Sequence, residues 1–304
     1  MGYIELQTGQ VALRSKKIIL PEFTMPARSD WMSVTYGDGK FVAVAENDSA
    51  GAYSLDGINW TEMSMPEKRD WSAVTYGDGK FVAVSNSGNS GMGAYSTDGI
   101  HWTSFTLPVS GDWNSVTYGG GKFIAVGDPA QYTFVGAYST DGINWTAMNM
   151  PAISLGSVAY GNGKYVALGD NNTYNKSAYS TDGINWTEMR PDSNTYMWSS
   201  VTYGDDKFVA LAAYNTNKGV YSTDGIVWTE MSLPIDNNWR SVTYGGGKFV
   251  AVARGSDKGA YSIDGINWTE FTLPASRRWY SVTYGDGKYV AVAYDSNKGA
   301  WFEL

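Results

Sequence analysis

Arginine and tyrosine side chains are the strongest candidates for ligand chemistry in this sequence. Arginine donates paired hydrogen bonds to carboxylates and phosphates, and tyrosine offers a flat face for stacking. The densest group lies between positions 240 and 294 and comprises Arg240, Arg254, Arg277, Arg278, Tyr280 and Tyr294. Three further candidates for ligand contact are Asn114, Tyr132 and Tyr174. These types predict a binding surface for an anionic or polyhydroxylated ligand.

Catalytic chemistry has less support in the sequence. His101 is the sole histidine and there is no cysteine, so no zinc site of the usual ligand types is predicted. A nucleophile motif of the G-x-S-x-G type does not occur. A glycosidase needs two carboxylates across one pocket, and the acidic candidates fall in separate parts of the chain: Glu67, Asp70, Asp112 and Asp236. We therefore predict no catalytic residue, no metal, no cofactor and no enzymatic activity.

Composition narrows the range of partners. The chain has 304 residues, a formal net charge of −8 and a sequence pI of about 4.7. Duplex nucleic acid rewards clustered positive charge, so this balance argues against a nucleic-acid partner. The sequence contains no signal-peptide core and no apolar run long enough to span a bilayer, so no membrane association is predicted.

A repeat positions the candidate residues. Seven related units start 40 to 43 residues apart, and we number them repeats 1 to 7. Their first residues are Trp31, Trp71, Trp113, Leu155, Trp198, Trp239 and Trp279. A fixed period of this length, in a chain with 15% aromatic residues and 36 glycines, is typical of propeller blades. Because single blades bury too little surface alone, the repeats predict one ring.

Each repeat reads as four short antiparallel strands, a to d. In repeat 6 they are predicted at Trp239–Tyr244, Lys248–Ala253, Gly259–Ser262 and Asn267–Leu273, with Pro274 ending the last. Glycine-rich turns separate strands a and b, and Asp-Gly separates strands c and d. The sequence therefore predicts an all-β propeller of four-stranded blades.

The two ends of the chain predict how the ring closes. Residues 22–26 match the fourth strand, 270–274, but have no blade before them. Repeat 7 stops after its third strand, near 299–304. Since an unpaired strand edge is a liability, we predict that residues 22–26 complete the last of seven blades. Residues 1–20 are then an N-terminal extension or attachment segment, and residues 21–304 form a single propeller.

The hairpins between strands c and d carry the motif Ser-x-Asp-Gly-Ile-x-Trp. Its aspartates are Asp56, Asp98, Asp141, Asp182, Asp224 and Asp264. The motif resembles the Asp-box, or BNR repeat, of sialidase-like propellers, although one residue usually separates Asp from Gly there. It is also similar to propeller domains of phage tail proteins and bacterial surface proteins. Because the aspartates recur around a ring, we predict that they stabilise turns.

This resemblance implies a non-catalytic binding module for a cell-surface carbohydrate or polymer, in a phage tail or a bacterial surface adhesin. Residues 1–20 would attach it to other virion or surface-assembly proteins, and its location would be extracellular or on a virion. Two alternatives are a sialidase-like glycosidase and a structural decoration or assembly protein.

Loop variation predicts where the ligand binds. The a–b and c–d loops are nearly constant among repeats, whereas the b–c and d–a loops vary in length and chemistry. Variable loops on a rigid scaffold are the usual place for recognition. The residue after the first residue of each repeat is expected near the mouth of the central channel: Met32, Ser72, Asn114, Gly156, Ser199, Arg240 and Tyr280.

Overall fold

The structure is a computed structural model that describes residues 20–86, 91–129, 135–151, 153–169, 176–191 and 196–304. Within these ranges all regular secondary structure is β-strand, so the predicted all-β class is confirmed. The same ranges contain no helix long and apolar enough to cross a bilayer.

Twenty-five strands are formed by the described residues. The first twelve are β1 (Glu22–Gly37), β2 (Lys40–Glu46), β3 (Asp48–Ser54), β4 (Thr61–Arg69), β5 (Trp71–Gly77), β6 (Lys80–Ser85), β7 (Met92–Ser96), β8 (Thr103–Thr106), β9 (Gly111–Gly119), β10 (Lys122–Pro129), β11 (Gly136–Ser139) and β12 (Thr146–Ala147). The others are β13 (Ser157–Gly161), β14 (Lys164–Leu168), β15 (Ser177–Ser180), β16 (Thr187–Met189), β17 (Trp198–Gly204), β18 (Lys207–Ala212), β19 (Thr216–Ser222), β20 (Thr229–Asn237), β21 (Trp239–Gly245), β22 (Lys248–Ser262), β23 (Thr269–Gly285), β24 (Lys288–Tyr294) and β25 (Ser296–Phe302).

The sheets follow the repeats. Repeats 2 to 5 each form a four-stranded antiparallel sheet, which confirms the predicted blades. The remaining repeats share a nine-stranded sheet in the order β21-β22-β23-β24-β25-β1-β2-β3-β4. Strands β1, β22 and β23 are long because each joins two of the short strands predicted from the sequence.

The fourth strand of repeat 6 differs from its predicted bounds at both ends. It begins at Thr269 instead of Asn267, and β23 continues past Pro274 into repeat 7. The pairing register with β22 shifts between Ser256 and Lys258, opposite this segment. Proline is tolerated at such an irregularity because its nitrogen has no hydrogen to donate to the ladder.

The core lies between neighbouring sheets. Strand b is buried on both faces, as in Phe41 to Ala45, which are all 0% exposed. The tryptophans that begin six of the repeats are 0–1% exposed. Since both faces of a blade are covered, each sheet depends on its neighbours for its hydrophobic stabilisation.

The recurring Tyr-Gly pair at the end of strand a explains how neighbouring repeats approach so closely. The tyrosine ring of one repeat lies on the glycine of the repeat before it, and a Cβ atom at Gly37 would sit 2.0 Å from Tyr76. Any larger residue would collide with the ring. The remaining pairs are Gly77–Tyr118, Gly119–Tyr160, Gly161–Tyr203, Gly204–Tyr244, Gly245–Tyr284 and Gly285–Tyr36. The last pair brings repeat 7 against repeat 1.

The first described strand pairs with the last one. In the antiparallel register Phe23 lies opposite Gly299 and Thr24 opposite Lys298. The Trp301 amide donates to the Pro21 carbonyl oxygen at 3.2 Å. Residues 22–24 therefore lie beside β25 as strand d lies beside strand c in the other repeats. Leu20, assigned by the sequence to the extension, packs half-buried against the cluster that contains Phe302.

Candidate functional site

A cavity of about 270 Å³ opens where the first residues of the a strands meet. All seven residues that follow the first residue of a repeat line it: Met32, Ser72, Asn114, Gly156, Ser199, Arg240 and Tyr280. The structure thus brings together one side chain or backbone position from every repeat. Glu46, Asp70, Asn86, Met197 and Tyr214 also line the cavity.

The cavity lies at the end of the molecule that carries the variable loops. Each a strand starts beside the end of its b strand, as in the pairing of Asp30 with Glu46. The described parts of the b–c and d–a loops therefore lie at this end of the molecule. The constant loops meet at the other end, where the Asn162 amide donates to the Thr223 carbonyl oxygen at 3.2 Å.

Hydrogen bonds between neighbouring repeats hold the polar wall in place. The Asn114 amide donates to the Leu155 carbonyl oxygen at 3.2 Å and accepts from Asn86 at 2.8 Å. The Ser72 hydroxyl bonds the Trp113 carbonyl oxygen. Because these partners belong to different blades, the wall is fixed by the assembled fold.

Four other serines of the lining accept a backbone hydrogen bond from the adjacent blade. Ser33 accepts the Val74 amide at 3.1 Å. The same contact recurs for Ser115 with Val158, Ser200 with Val242, and Ser241 with Val282. A hydroxyl that accepts in this way still has its hydrogen to donate, so these serines supply donors to a bound group.

Carboxylates give one side of the cavity an acidic character. Burial raises the pKa of Glu46, and the negative charges of Asp70 and Asp30 raise it further, whereas Arg240 opposes the change. Asp70 accepts a hydrogen bond from the Asn47 amide at 2.9 Å. Neither Glu46 nor Asp30 was predicted from the sequence as a site residue. Glu46 could have been recognised from its position directly after the predicted strand b, at the variable end.

Five of the sequence-predicted residues form one stacked group, which we call the Arg–Tyr cluster: Arg240, Arg254, Arg278, Tyr280 and Tyr294. The Arg240 guanidinium lies 4.6 Å from the centre of the Tyr280 ring, and Arg254 lies 6.0 Å from it. Tyr280 and Tyr294 are 5.1 Å apart between ring centres.

Tyr294 and Arg278 form the other end of the cluster. Arg278 lies 5.6 Å from the centre of its ring. Burial raises the pKa of the Tyr294 hydroxyl, and the nearby carboxylates of Asp30 and Glu46 add to the effect. The cluster therefore begins in the cavity at Arg240 and Tyr280 and reaches the exposed residues Arg254 and Arg278.

The remaining predicted site residues have different surroundings. Arg277 forms an ion pair with Glu22 at 2.8 Å, which links β23 to the N-terminal strand. Asn114 lies in the cavity wall. Tyr132 and Tyr174 lie outside the described residues.

The Asp-Gly hairpins lie away from the cavity, at the constant end. One oxygen of Asp182 accepts the amides of Ile184 and Asn185 at 2.8 Å each. The backbone and side chain of Asn185 lower the pKa of Asp182, with the Ile184 amide adding to them. Equivalent contacts are made by Asp56, Asp98, Asp141, Asp224 and Asp264.

The hairpin tryptophan packs on strand b of its own repeat and on the outer strand of the preceding repeat. Trp145 lies 6.5 Å from Phe123 of its own repeat between ring centres. Trp145 stacks on Phe105 with 5.5 Å between ring centres, and Trp102 donates to the Met63 sulfur at 3.3 Å. Since Phe105 and Met63 lie one full repeat earlier, periodicity alone could not reveal these contacts.

The sole histidine is remote from the cavity. His101 occupies a constant-end hairpin, where its Nδ1 lies 2.7 Å from the Asp98 carboxylate and its side chain is 86% exposed. Among the described residues there is no group of three or more His, Cys, Asp or Glu side chains that could hold a metal ion.

Comparisons with known proteins identify the fold. No family model matches the sequence, and no curated protein matches it. Among solved structures, the virginiamycin B lyase from Staphylococcus aureus superposes with a TM-score of 0.80 at 16% identity, covering 94% of this chain and 99% of the lyase. A catalytically inactive variant of that lyase, with a histidine replaced by alanine, was solved with quinupristin; its TM-score is 0.76 at 14% identity, covering 94% and 99%.

A second kind of protein has the same fold. YCF48 bound to D1 peptide superposes with a TM-score of 0.72 at 13% identity, covering 94% of this chain and 95% of that one. The chain is therefore a β-propeller. The predicted function, a carbohydrate-binding module of a phage tail or bacterial surface, is wrong: the similar structures are a lyase and a peptide-bound protein. They likewise give no support to a sialidase-like glycosidase.

Proposed function

We propose that this chain is a non-catalytic propeller that binds a peptide segment of a protein partner in the cavity at its variable end. The observation that carries the proposal is the convergence of seven equivalent positions, one per repeat, on one cavity while their side chains differ. A scaffold position that is free to vary at a shared opening is suited to specific recognition.

The chemistry of the lining suits a peptide. A peptide backbone presents both N–H donors and carbonyl acceptors, which must be paired when they leave water. The serine hydroxyls and Asn114 supply donors, and Glu46 and Asp70 supply acceptors. Met32 and Met197 add flexible apolar surface that can pack on side chains. YCF48, with the same fold, is described as bound to a peptide.

A lyase activity has less support from the residues present. In the lyase, the variant with a histidine replaced by alanine is described as catalytically inactive. Here the sole histidine, His101, is at the opposite end from the cavity. The cavity lining offers no imidazole to move a proton, which favours binding over this chemistry.

We further propose that the propeller has seven blades and that residues 22–26 complete the last one. The pairing of Phe23 with Gly299 supports this, as does the hydrogen bond from the Val34 amide to the Ser281 hydroxyl at 3.1 Å. That bond repeats between repeats 7 and 1 the contact seen between interior blades. Residues 1–19 stay outside the blade in this proposal, and an extracellular location stays a prediction.

Blocking the cavity tests peptide binding. Peptides selected from a random-sequence library on the immobilised protein would be titrated by calorimetry against wild type and Ser199→Trp. Ser199 lines the cavity, so an indole there should weaken binding by about tenfold or more, equivalent to ~1.4 kcal/mol.

Ser232→Trp is the matched control, since Ser232 is exposed on the outer strand of the same repeat. Its affinity should stay within about twofold of wild type, because no cavity contact changes. Failure to select any binding peptide, or equal binding by Ser199→Trp and wild type, would contradict the proposal.

A further inference from the structure

We infer that the Arg–Tyr cluster is a subsite for acidic side chains of the bound peptide, an inference that rests on the proposed function. Its starting point is the register of β22 and β23, in which Arg254 lies directly opposite Arg278. Like charges directly opposite each other on antiparallel strands destabilise the pair. Two guanidinium groups in this arrangement favour an anion beside them.

Tyrosine rings stack against the arginines of the cluster. Tyr280 faces Arg240 and Arg254, and Tyr294 faces Arg278. The negative face of an aromatic ring attracts a cation, and arginine also stacks flat upon it. Stacking fixes the plane of a guanidinium while its N–H groups point outward around the edge. The cluster is thus organised before any ligand arrives.

The arginines of the cluster also differ from their neighbours in ion pairing. Arg28 pairs with Asp295 at 2.9 Å, and Arg277 pairs with Glu22 at 2.8 Å. Arg240, Arg254 and Arg278 make no ion pair with any residue that the structure describes. The donors of Arg254 and Arg278 are therefore available to carboxylates of a partner, whereas Arg240 also acts on the Glu46 carboxylate.

Position links the cluster to the cavity. Arg240 and Tyr280 line the cavity, and Arg254 and Arg278 carry the positive charge to the exposed rim. A peptide seated in the cavity would pass over the cluster as it leaves. Since the whole chain carries a net charge of −8, an acidic segment gains nothing from general attraction and depends on these arginines.

Fluorescein-labelled hexaglutamate is a direct probe, with hexaglutamine as the neutral control. Fluorescence anisotropy would compare wild type with the double variant R254Q/R278Q. We expect wild type to bind hexaglutamate in preference to hexaglutamine, and the double variant to lose ~10-fold or more, because two charge-assisted contacts are removed. Binding should weaken with added salt, since the rim is exposed.

R28Q/R190Q is the matched control, because it removes the same charge from two exposed arginines of the variable end. It should bind within about twofold of wild type. The inference is overturned if wild type does not bind hexaglutamate, if both double variants bind it equally, or if a thymidine oligonucleotide competes more strongly than unlabelled hexaglutamate.

The Ser199→Trp variant separates the two proposals. Loss of library-peptide binding in that variant tests the cavity, whereas hexaglutamate binding by R254Q/R278Q tests the cluster alone. If library peptides bind the cavity but carry no excess of acidic residues and bind R254Q/R278Q normally, peptide binding stands and the acidic subsite is wrong.

Discussion

Replacing Phe23 by alanine is the sharpest test of the proposed last blade. Phe23 is 4% exposed, and its ring stacks on Trp60 with 5.4 Å between centres and 26° between planes. Its edge covers Gly299, where a Cβ atom would lie 2.1 Å from the ring. Loss of a buried phenylalanine side chain costs about 3–5 kcal/mol through lost transfer energy and an unfilled cavity.

An interior blade provides an internal standard for that magnitude. Phe105 is 8% exposed and stacks on Trp145 with 5.5 Å between centres and 19° between planes. It covers Gly93, where a Cβ atom would lie 2.3 Å from the ring. Because the surroundings match, Phe23→Ala and Phe105→Ala should destabilise the protein equally if residues 22–26 are a true blade strand.

Differential scanning calorimetry measures the effect. For a chain of 304 residues, an unfolding entropy of about 2.1 cal/mol/K per residue converts the expected loss into a Tm decrease of roughly 5–8 °C for each variant. A Tm for Phe23→Ala within about 1 °C of wild type, together with the full decrease for Phe105→Ala, would refute the proposal that residues 22–26 complete the last blade.

Two further predictions concern the constant end and the N-terminus. Asp182→Asn should lower stability by about 1 kcal/mol, a value kept small because the group is exposed. The pKa of Asp182 is lowered in the folded state, so its contribution is present above the ordinary carboxyl pKa and is lost as pH falls through the folded value. Circular dichroism melts from pH 7 downward should therefore show the gap between wild type and Asp182→Asn shrinking below about pH 4; a constant gap would contradict this. Deletion of residues 1–19 should leave the Tm within about 1 °C of wild type, because the segment lies outside the repeat; a large decrease would show that it contributes to the fold.

Local sequence was sufficient for the architecture. The recurring Tyr-Gly ending of strand a, the Asp-Gly hairpins and the apolar b strands each specify a turn or a buried strand within a few residues. Repetition of those signals at one period predicted the blades and placed Arg240 and Tyr280 in equivalent positions. Loop variability then identified the end of the propeller where the cavity lies.

Tertiary structure decided which side chains meet. Glu46 and Arg240 are far apart in the chain and influence each other only because different repeats converge on one cavity. The hairpin tryptophan of one repeat packs on the preceding repeat, which no pattern inside a single unit reveals. The hairpin motif suggested a carbohydrate ligand through its resemblance to other propellers. In this structure its aspartate bonds the amides of its own turn, whereas ligand choice belongs to side chains elsewhere.

The pairing of Arg254 with Arg278 best shows what the sequence determined and what only the tertiary structure decided. The sequence shows two arginines in variable loops, and the usual expectation is that each finds its own carboxylate. The register of β22 and β23 instead sets them opposite each other, with tyrosines from repeat 7 as their neighbours. Register depends on bulges and on long-range pairing, so the sequence determined the residues while the assembled sheet determined their chemistry.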